Sequence, residues 1–301
     1  MGAADELRRR IGRVGVWLGA LGLVPAAEER GAVLAIEHLR YGALWFGEAP
    51  GTKEIFAHAG VVLGDTERLV VASGIAGIYS RDAVAAAAGS NTLAEAFPGR
   101  FVLGLGVSHA PAVQTRGHRY EKPVPAMRAY LDAMDAVEYR AAPPPQPVPR
   151  MLAALRPRML ELARERAMGA HPYFVSVAHT ARARALLGDS PVLAPEQTVL
   201  LDRDPARARA RARAFMAPYL RLPNYAVNLR ELGFGDADLA GGGSDRLVDA
   251  IVAWGDEEAI AERVRAHHDA GADHVAIQPL VADVPAAVAD LTTLAPVLLG
   301  R

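Results

Sequence analysis

The feature that most constrains the fold of this chain is a repeated alternation of short apolar segments with longer helical segments. Eight apolar segments have the length of β-strands, and each one precedes a segment with helical periodicity. These segments are RVGVWL (13–18), ALWFGE (43–48), RLVVASGIAGIY (68–79), RFVLGLG (100–106), RMLAAL (150–155), AHPYFVSV (170–177), EQTVLLD (196–202) and DHVAIQPL (273–280). Because eight strand–helix units are what a (β/α)8 barrel requires, the alternation predicts an α/β protein with a TIM barrel.

An open, doubly wound parallel sheet would show the same alternation, and only the count of eight favours the barrel. The composition does not shift along the 301 residues, so we expect a single domain over residues 1–301. The proline-rich segment 141–149 is typical of a stiff connector within that domain. A long excursion that includes Gly241–Gly243 follows the seventh helix.

Composition excludes several classes of function. The chain has no cysteine, so disulfides, thiolate nucleophiles and cysteine-type zinc sites are excluded, and no spacing typical of another metal site is present. A net charge of −1 does not indicate a nucleic-acid or membrane-surface partner. No apolar stretch reaches the roughly 20 residues of a membrane span, and the charged N-terminus lacks a signal-peptide core. We therefore expect a soluble, cytoplasmic protein.

In a (β/α)8 barrel the chemistry takes place at the carboxyl ends of the strands. The residues at those ends of the predicted strands are Trp17, Glu48, Ser73, Gly74, Ser108, His109, Arg156, His179, Thr180 and Gln278.

The end of the fourth predicted strand, GRFVLGLGVSH (99–109), is unusual because it contains two glycines. Gly104 and Gly106 do not form a dinucleotide-binding fingerprint, since the third glycine and an immediate helix are missing. A glycine inside a strand marks a bulge or the close approach of another backbone or a ligand. Together with Ser73 and Gly74 on the neighbouring strand, these glycines indicate either tight barrel packing or a flat-walled slot for a planar ring.

These residues also carry a resemblance to a known family. GRFVLGLGVSH and the preceding RLVVASGIAGIYSRDAVAAAAGSNTLAEAFPGRF resemble the bacterial-luciferase-like superfamily. The segments YGALWFGEA, YEKPVPAMRAYLDAM, LAALRPRMLELARERAMGAHPYFV and LAPEQTVLLD resemble its branch of probable oxidoreductases that use the deazaflavin coenzyme F420. The likeness extends over residues 11–290. It implies a (β/α)8 barrel with an insertion around strand seven, a flavin or deazaflavin ring at the C-terminal mouth, and a homodimer.

The resemblance also implies roles for single residues. An unusual peptide at the end of strand three backs the ring in this family, and Ser73, Gly74 and Ile75 match that position. Gly106, Val107 and Ser108 would then contact the ring. A hydride-transfer reaction also needs a proton donor near the mouth, for which Glu48 and His109 are the candidates. A solvated loop carboxylate and a loop histidine bonded to the backbone are the structural alternatives for these two residues.

The phosphate-bearing part of the cofactor needs donors of its own. The segment SVAHTARARALLG predicts a helix that begins at Thr180, and a helix N-terminus with Arg182 nearby suits an anion. His179 lies beside this predicted start, and a plain capped helix is the structural alternative. Arg156 stands where the family has glycine, which either changes the local contact or makes Arg156 a phosphate ligand. We expect His171 to be structural and the pair His267–His268 to lie at the surface.

Three functional interpretations follow. The favoured one is an F420-dependent oxidoreductase that acts on a small organic substrate. An FMN-dependent monooxygenase of the same superfamily and a non-enzymatic flavin- or deazaflavin-binding protein are the alternatives. A Schiff-base aldolase is disfavoured, because Lys53 and Lys122 both lie outside the predicted strands.

Overall fold

The structure is a computed structural model, and it describes residues 2–300. The strands are β1 Val14–Trp17, β2 Ala43–Phe46, β3 Val70–Ser73, β4 Ala76–Gly77, β5 Phe101–Gly106, β6 Arg150–Leu152, β7 Gly169–Ala170, β8 Val192–Leu193, β9 Glu196–Leu201, β10 Ala253–Gly255 and β11 Val275–Pro279. The helices are α1 Ala3–Ile11, α2 Ala26–Leu39, α3 Ile55–Asp65, α4 Ala83–Ala96, α5 Ala110–Thr115, α6 Pro123–Asp135, α7 Pro157–Arg166, α8 Val177–Leu187, α9 Pro205–Leu220, α10 Pro223–Glu231, α11 Asp236–Leu239, α12 Asp245–Ile251, α13 Glu257–Asp269 and α14 Val284–Leu299. Two 3₁₀ turns cover Gly19–Leu23 and Ala240–Gly242.

The strands form one parallel sheet that curls into a barrel, as the alternation predicts. β11, β1, β2, β3, β5, β6, β7 and β8 pair in that order, with β4 continuing β3 beside β5. β8 and β9 are consecutive parts of one interrupted strand, and β9 pairs with β11. The eight-stranded ring is therefore closed, which excludes the open doubly wound sheet.

The helices begin where the sequence provides caps. Asp82, Asp204, Ser244, Asp256 and Asp283 each accept a hydrogen bond from a backbone N–H in the first turn of the following helix. These side chains satisfy donors that a helix start leaves free. The strand-to-helix turns, and with them the carboxyl ends of the strands, are thereby fixed at one face of the barrel.

The core lies on both sides of the sheet. Apolar side chains of the strands and the inner helix faces form the main cluster, and Trp45 and Ala43 belong to a second cluster inside the ring. Phe46 and Leu44 of β2 point to the helical side instead. This alternation along one fully buried strand is typical of a parallel barrel.

The predicted insertion follows β9. It consists of α10, α11, α12 and β10, which pack with the end of α9 around Phe174, Met216 and Tyr225. β10 pairs with the end of β9. A separate apolar cluster therefore stands above one side of the barrel mouth.

Two predicted boundaries are wrong. The third predicted strand is interrupted at Gly74 and Ile75, which separate β3 from β4. In place of the sixth predicted strand, 170–177, the structure has only the short strand β7, Gly169–Ala170. The helix α8 already begins at Val177. Ser176 caps this helix, so Thr180 lies inside it rather than at its start.

None of the helices between residues 2 and 300 combines the length and the apolar character that a membrane span requires.

Candidate functional site

A cavity of about 460 Å³ opens at the carboxyl ends of the barrel strands. Its walls are mostly apolar, and its volume lies in the range of small-molecule sites. Seven of the residues predicted from the sequence line it: Glu48, Gly74, Ile75, Gly106, Val107, Ser108 and His109. Trp17, Gly47, Leu155, His171, Tyr173, Tyr219, Asn224 and Tyr225 are among the other lining residues.

The two glycines of the fourth predicted strand have different roles. A Cβ atom on Gly104 would lie 1.9 Å from the carbonyl oxygen of Ser73, so Gly104 permits close packing of β3 on β5. Gly106 borders the cavity, and a Cβ there would lie 2.6 Å from Cγ1 of Ile75. Both glycines therefore permit close packing, Gly104 against Ser73 and Gly106 against Ile75, and only Gly106 also borders the cavity.

The adjoining wall is formed by the end of β3. The peptide bond between Gly74 and Ile75 is cis, at the position where the resemblance implies an unusual peptide. Trp17 donates a hydrogen bond from Nε1 to the carbonyl oxygen of Gly74 at 3.3 Å. Ser73 is buried behind this wall, and its hydroxyl is bonded to the backbone of Gly104 at 2.8 Å. Ser73 therefore supports the wall without lining the cavity.

Glu48 is a buried carboxylate at the cavity edge. Its Oε1 accepts a hydrogen bond from Nη2 of Arg81 at 2.5 Å, and Nη2 of Arg116 lies 3.8 Å away. Its Oε2 accepts a hydrogen bond from the backbone N–H of Gly77 at 3.1 Å. Glu48 therefore forms an ion pair with Arg81 at the cavity edge. Its predicted role as a proton donor stays a prediction.

His109 is the N-cap residue of α5 and lines the cavity. Its ring centre lies 5.5 Å from that of Tyr225. Burial lowers the pKa of His109, and the neighbouring Asn224 side chain offsets only part of this effect. His109 is therefore uncharged at neutral pH, which suits accepting a proton better than donating one.

His171 contributes a buried acceptor to the cavity. Its Nδ1 donates to the carbonyl oxygen of Ala194 at 2.7 Å, and its ring stacks on Trp45 with centres 4.3 Å apart. Burial lowers the pKa of His171 to about 4, so Nε2 carries no proton at neutral pH. No side chain or backbone group of residues 2–300 bonds to this Nε2, which lies 3.2 Å from the point where a Cβ of Gly74 would stand.

The predicted anion-binding residues lie beyond the cavity. Arg156 and Arg182 both bind Glu231, the last residue of α10. His179 is fully buried and donates from Nε2 to the carbonyl oxygen of Leu155 at 2.7 Å. The structure therefore brings the two arginines together and leaves His179 as a support for the loop after β6.

Thr180 does not offer the free amide that its predicted role requires. Its backbone N–H bonds to the carbonyl oxygen of Ser176 within α8 at 3.2 Å. Its hydroxyl donates to Nδ1 of His267 at 2.8 Å, and both side chains are fully buried. The expectation of a surface position for His267 is therefore wrong, because this histidine links α13 to α8 inside the protein.

Sequence reasoning missed the aromatic part of the cavity. Tyr173 follows β7 and bonds through its hydroxyl to Gln278 at 2.9 Å and to Tyr219 at 3.1 Å. Tyr219 lies in the last turn of α9, and Asn224 and Tyr225 lie in the first turn of α10. The only local indication of these residues in the sequence is the segment MAPYLRLPNY, which is richer in aromatic residues than its surroundings. Its position over the mouth depends on how the insertion packs.

The sequence profile of the family described as luciferase-like monooxygenase matches residues 11–274. The chain belongs to the luciferase-like monooxygenase family. Members of this family are oxidoreductases, and the chain is therefore an enzyme of that class.

Solved structures agree with the fold. An F420-dependent secondary alcohol dehydrogenase in complex with an F420–acetone adduct matches with a TM-score of 0.74 and 13% identity, over 95% of this chain and 98% of its own. The coenzyme F420-dependent tetrahydromethanopterin reductase from Methanopyrus kandleri matches with a TM-score of 0.75 and 15% identity, over 95% and 99%. The oxygenating constituent of 3,6-diketocamphane monooxygenase from Pseudomonas putida, in complex with FMN, matches at 0.70 and 13%, over 94% and 95%. At these identities the likeness establishes the fold alone.

Proposed function

We propose that this protein is a cytoplasmic, F420-dependent oxidoreductase that transfers a hydride between the deazaflavin ring and a small organic substrate. The observation that carries the proposal is the glycine-walled cavity at the C-terminal mouth of a luciferase-like barrel. The sequence resemblance to the F420-dependent branch favours F420 over FMN.

The cavity has features that fit a planar tricyclic ring. Gly47, Gly74 and Gly106 leave its walls free of side chains at three neighbouring strand ends. The buried Nε2 of His171 is an acceptor without a protein partner in residues 2–300, and a ring N–H is a donor of suitable chemistry. These residues, together with Ile75, Val107 and Ser108 around them, are the proposed ring-binding set, and Ser73 holds the wall in place from behind.

The arginines beyond the cavity suit the phosphate that both F420 and FMN carry. Arg156 directly follows Leu155, which lines the cavity, and Arg182 reaches the same point from α8. Guanidinium groups bind phosphate through paired N–H donors. We propose Arg156 and Arg182 as phosphate ligands, with His179 and Thr180 fixing the two segments that carry them.

When bound, the ring supplies the hydride chemistry at its central carbon. The protein has to orient the substrate, exclude water and move one proton. Oxidation of an alcohol to a carbonyl releases a proton from the hydroxyl group, and the uncharged His109 is placed to accept it. Tyr225 packs beside His109 and covers this part of the cavity. Glu48 keeps Arg81 and the backbone of Gly77 in position at the same edge.

We also propose a homodimer, as the family resemblance implies. Leu34, Val61 and Val84 on the adjacent helices α2, α3 and α4 are exposed aliphatic side chains that a second copy could cover.

Parallel fluorescence titrations of the purified, cofactor-free protein with F420 and with FMN test the proposal. We expect F420 to bind more tightly, at a stoichiometry of one ring per chain. Equal or reversed affinities would favour the FMN-dependent monooxygenase. If F420 binds tightly but is neither reduced nor oxidised across a panel of alcohols, aldehydes and enones, the cofactor assignment stands and the substrate lies outside these classes. Binding of neither ring contradicts the proposal.

A further inference from the structure

Glu231 occupies the space between two arginines that come from separate parts of the barrel. Its Oε1 accepts hydrogen bonds from Nε of Arg156 at 3.2 Å and from Nη2 at 2.8 Å. Its Oε2 accepts one from Nη2 of Arg182 at 2.6 Å. The hydrogen bonds from these arginines, that of Arg182 foremost, lower the pKa of Glu231 and keep it ionised at neutral pH. Each carboxylate oxygen therefore serves one guanidinium group.

This three-residue cluster is connected to the cavity at two points. Arg156 is the N-cap of α7 and follows the cavity-lining Leu155 directly. Glu231 ends α10, the helix whose first residues include the cavity-lining Asn224 and Tyr225. Since a helix rises 1.5 Å per residue, the cluster lies roughly 10 Å from the cavity along α10. A phosphate ester on a short side arm of a ring in the cavity reaches this distance.

The cluster keeps donors for such an anion. Among residues 2–300, no protein group accepts a hydrogen bond from Nη1 of Arg156 or from Nε and Nη1 of Arg182. A phosphate that approaches these nitrogens meets the negative charge of Glu231 a few ångströms away. Phosphate and carboxylate bind guanidinium groups in the same planar, two-oxygen manner, so the two anions compete for one arginine pair.

We propose that Glu231 is an internal competitor for the cofactor phosphate, and that it sets how strongly the protein prefers a phosphorylated ring to an unphosphorylated one. The inference rests on the proposed function, because it requires that a ring bind in the cavity. It differs from an assignment of phosphate ligands, since Glu231 would lower the affinity for the phosphate rather than raise it.

The test measures the affinity of phosphorylated and unphosphorylated rings for one variant and its control. The probes are FMN with riboflavin, and F420 with its chromophore lacking the phosphate and tail. Glu231→Gln keeps the shape of the side chain and removes its charge. Each partly exposed ion pair contributes little free energy, so the expected effect is moderate. We expect the two phosphorylated ligands to bind about 3- to 10-fold more tightly to Glu231→Gln than to the unaltered protein. The affinities of the two bare rings should change by less than about twofold.

Glu165→Gln is the matched control. Glu165 makes a comparable exposed ion pair with Arg128 at 2.7 Å, at the far end of α7. Loss of this ion pair should leave the affinities for all four ligands unchanged. In an Arg182→Ala background the gain from Glu231→Gln should shrink, because one of the two competing partners is absent.

Two results overturn the inference while leaving the proposed function intact. One is an unchanged ratio of phosphorylated to bare-ring affinity in Glu231→Gln. The other is weaker binding of the phosphorylated ligands, which would mean that Glu231 positions the arginines instead of competing for them. If the unaltered protein binds none of the four ligands, the proposed function fails, and the inference fails with it.

Discussion

Two buried histidines contact the same tryptophan inside the barrel, and they differ in how their nitrogens are used. His274 precedes β11 at the N-terminal end, donates from Nδ1 to the carbonyl oxygen of Gly12 at 2.8 Å and accepts from Nε1 of Trp45 at 3.0 Å. His171 follows β7 at the C-terminal end and uses only Nδ1 within residues 2–300. Most buried polar groups in proteins are hydrogen-bonded. Because the free acceptor on His171 faces the cavity, the proposed ring is the partner that we expect for it.

The surroundings of the two ends differ in the same way. At the N-terminal end Asp273 is bound by Arg8 at 2.9 Å, by Arg184 at 2.7 Å and by the backbone N–H of Leu193 at 2.8 Å. At the C-terminal end the wall consists of glycines and aromatic side chains, with His109 facing the cavity. Such a division between a stabilising and a functional end is what a (β/α)8 barrel leads us to expect.

The largest expected effect comes from acid, which acts on both ends alike. Burial lowers the pKa of His171, His179 and His274 to about 4 and that of His267 to about 3. Between pH 6.5 and 4 the unfolded chain therefore binds protons that the folded chain does not, and stability falls as the pH falls. Each histidine contributes up to about 1.4 kcal/mol of lost stability per pH unit. Glu196 opposes this trend, because burial raises its pKa to about 7.

Guanidinium denaturation at pH 7, 6 and 5 measures this dependence. Because burial lowers the pKa of more histidines than the carboxyl groups whose pKa it raises, Glu196 and Asp290, we expect a clear decrease in the free energy of unfolding at each step. Ring affinity of the folded protein should stay constant to pH 5, because His171 remains uncharged there. A free energy of unfolding that does not change with pH would contradict the assigned burial of these histidines.

The second prediction separates the two histidines. His274→Phe leaves two buried partners without a hydrogen bond, so we expect a loss of about 2–5 kcal/mol in the free energy of unfolding. Ring affinity per folded molecule should hardly change. His171→Phe removes only one internal bond and the free acceptor, so the loss of stability should be smaller and ring affinity should fall about 3- to 10-fold.

Chemical denaturation and fluorescence titration of the two variants measure both quantities. Equal ring affinity in His171→Phe and the unaltered protein would show that its Nε2 does not bind the ring.

The third prediction compares Gly106 at the C-terminal end of the barrel with Gly64 at the N-terminal end. In Gly106→Ala the new Cβ would stand 2.6 Å from Cγ1 of Ile75 and 3.2 Å from Cβ of Ala153, which pushes Ile75 toward the cavity. We expect ring affinity to fall about tenfold. Gly64→Ala at the end of α3 is the control, because no atom lies within 4 Å of its added Cβ. Fluorescence titration measures the ring affinity of both variants, and circular dichroism checks that they fold. Equal ring affinities in the two variants would show that Gly106 serves barrel packing alone.

Much of the site could be predicted from the sequence, because the order of the strands along the chain determines where each strand end lies in a barrel. Once eight strands are recognised, the residues at their carboxyl ends are expected at one mouth of the barrel. Six of these residues line the cavity: Gly74, Ile75, Gly106, Val107, Ser108 and His109. The partners of these residues could not be predicted. Glu48 is predicted as a proton donor, and no local pattern shows that its side chain pairs with Arg81, which is 33 residues away in the sequence.

The sequence by itself determined the eight strand–helix units and the resemblance to the family, because these depend on apolar periodicity and motif order along the chain. Only the tertiary structure decided that the sheet closes into a barrel and which polar groups are satisfied. Tyr225 lines the mouth, and Glu231 pairs with the two arginines beyond it, from an insertion whose local sequence does not specify its packing. The helix α8 begins earlier than its apolar pattern indicates because Ser176 caps it. Hydrogen bonds and ion pairs join residues far apart in the chain, and their formation depends on distances of a few ångströms that no local pattern encodes.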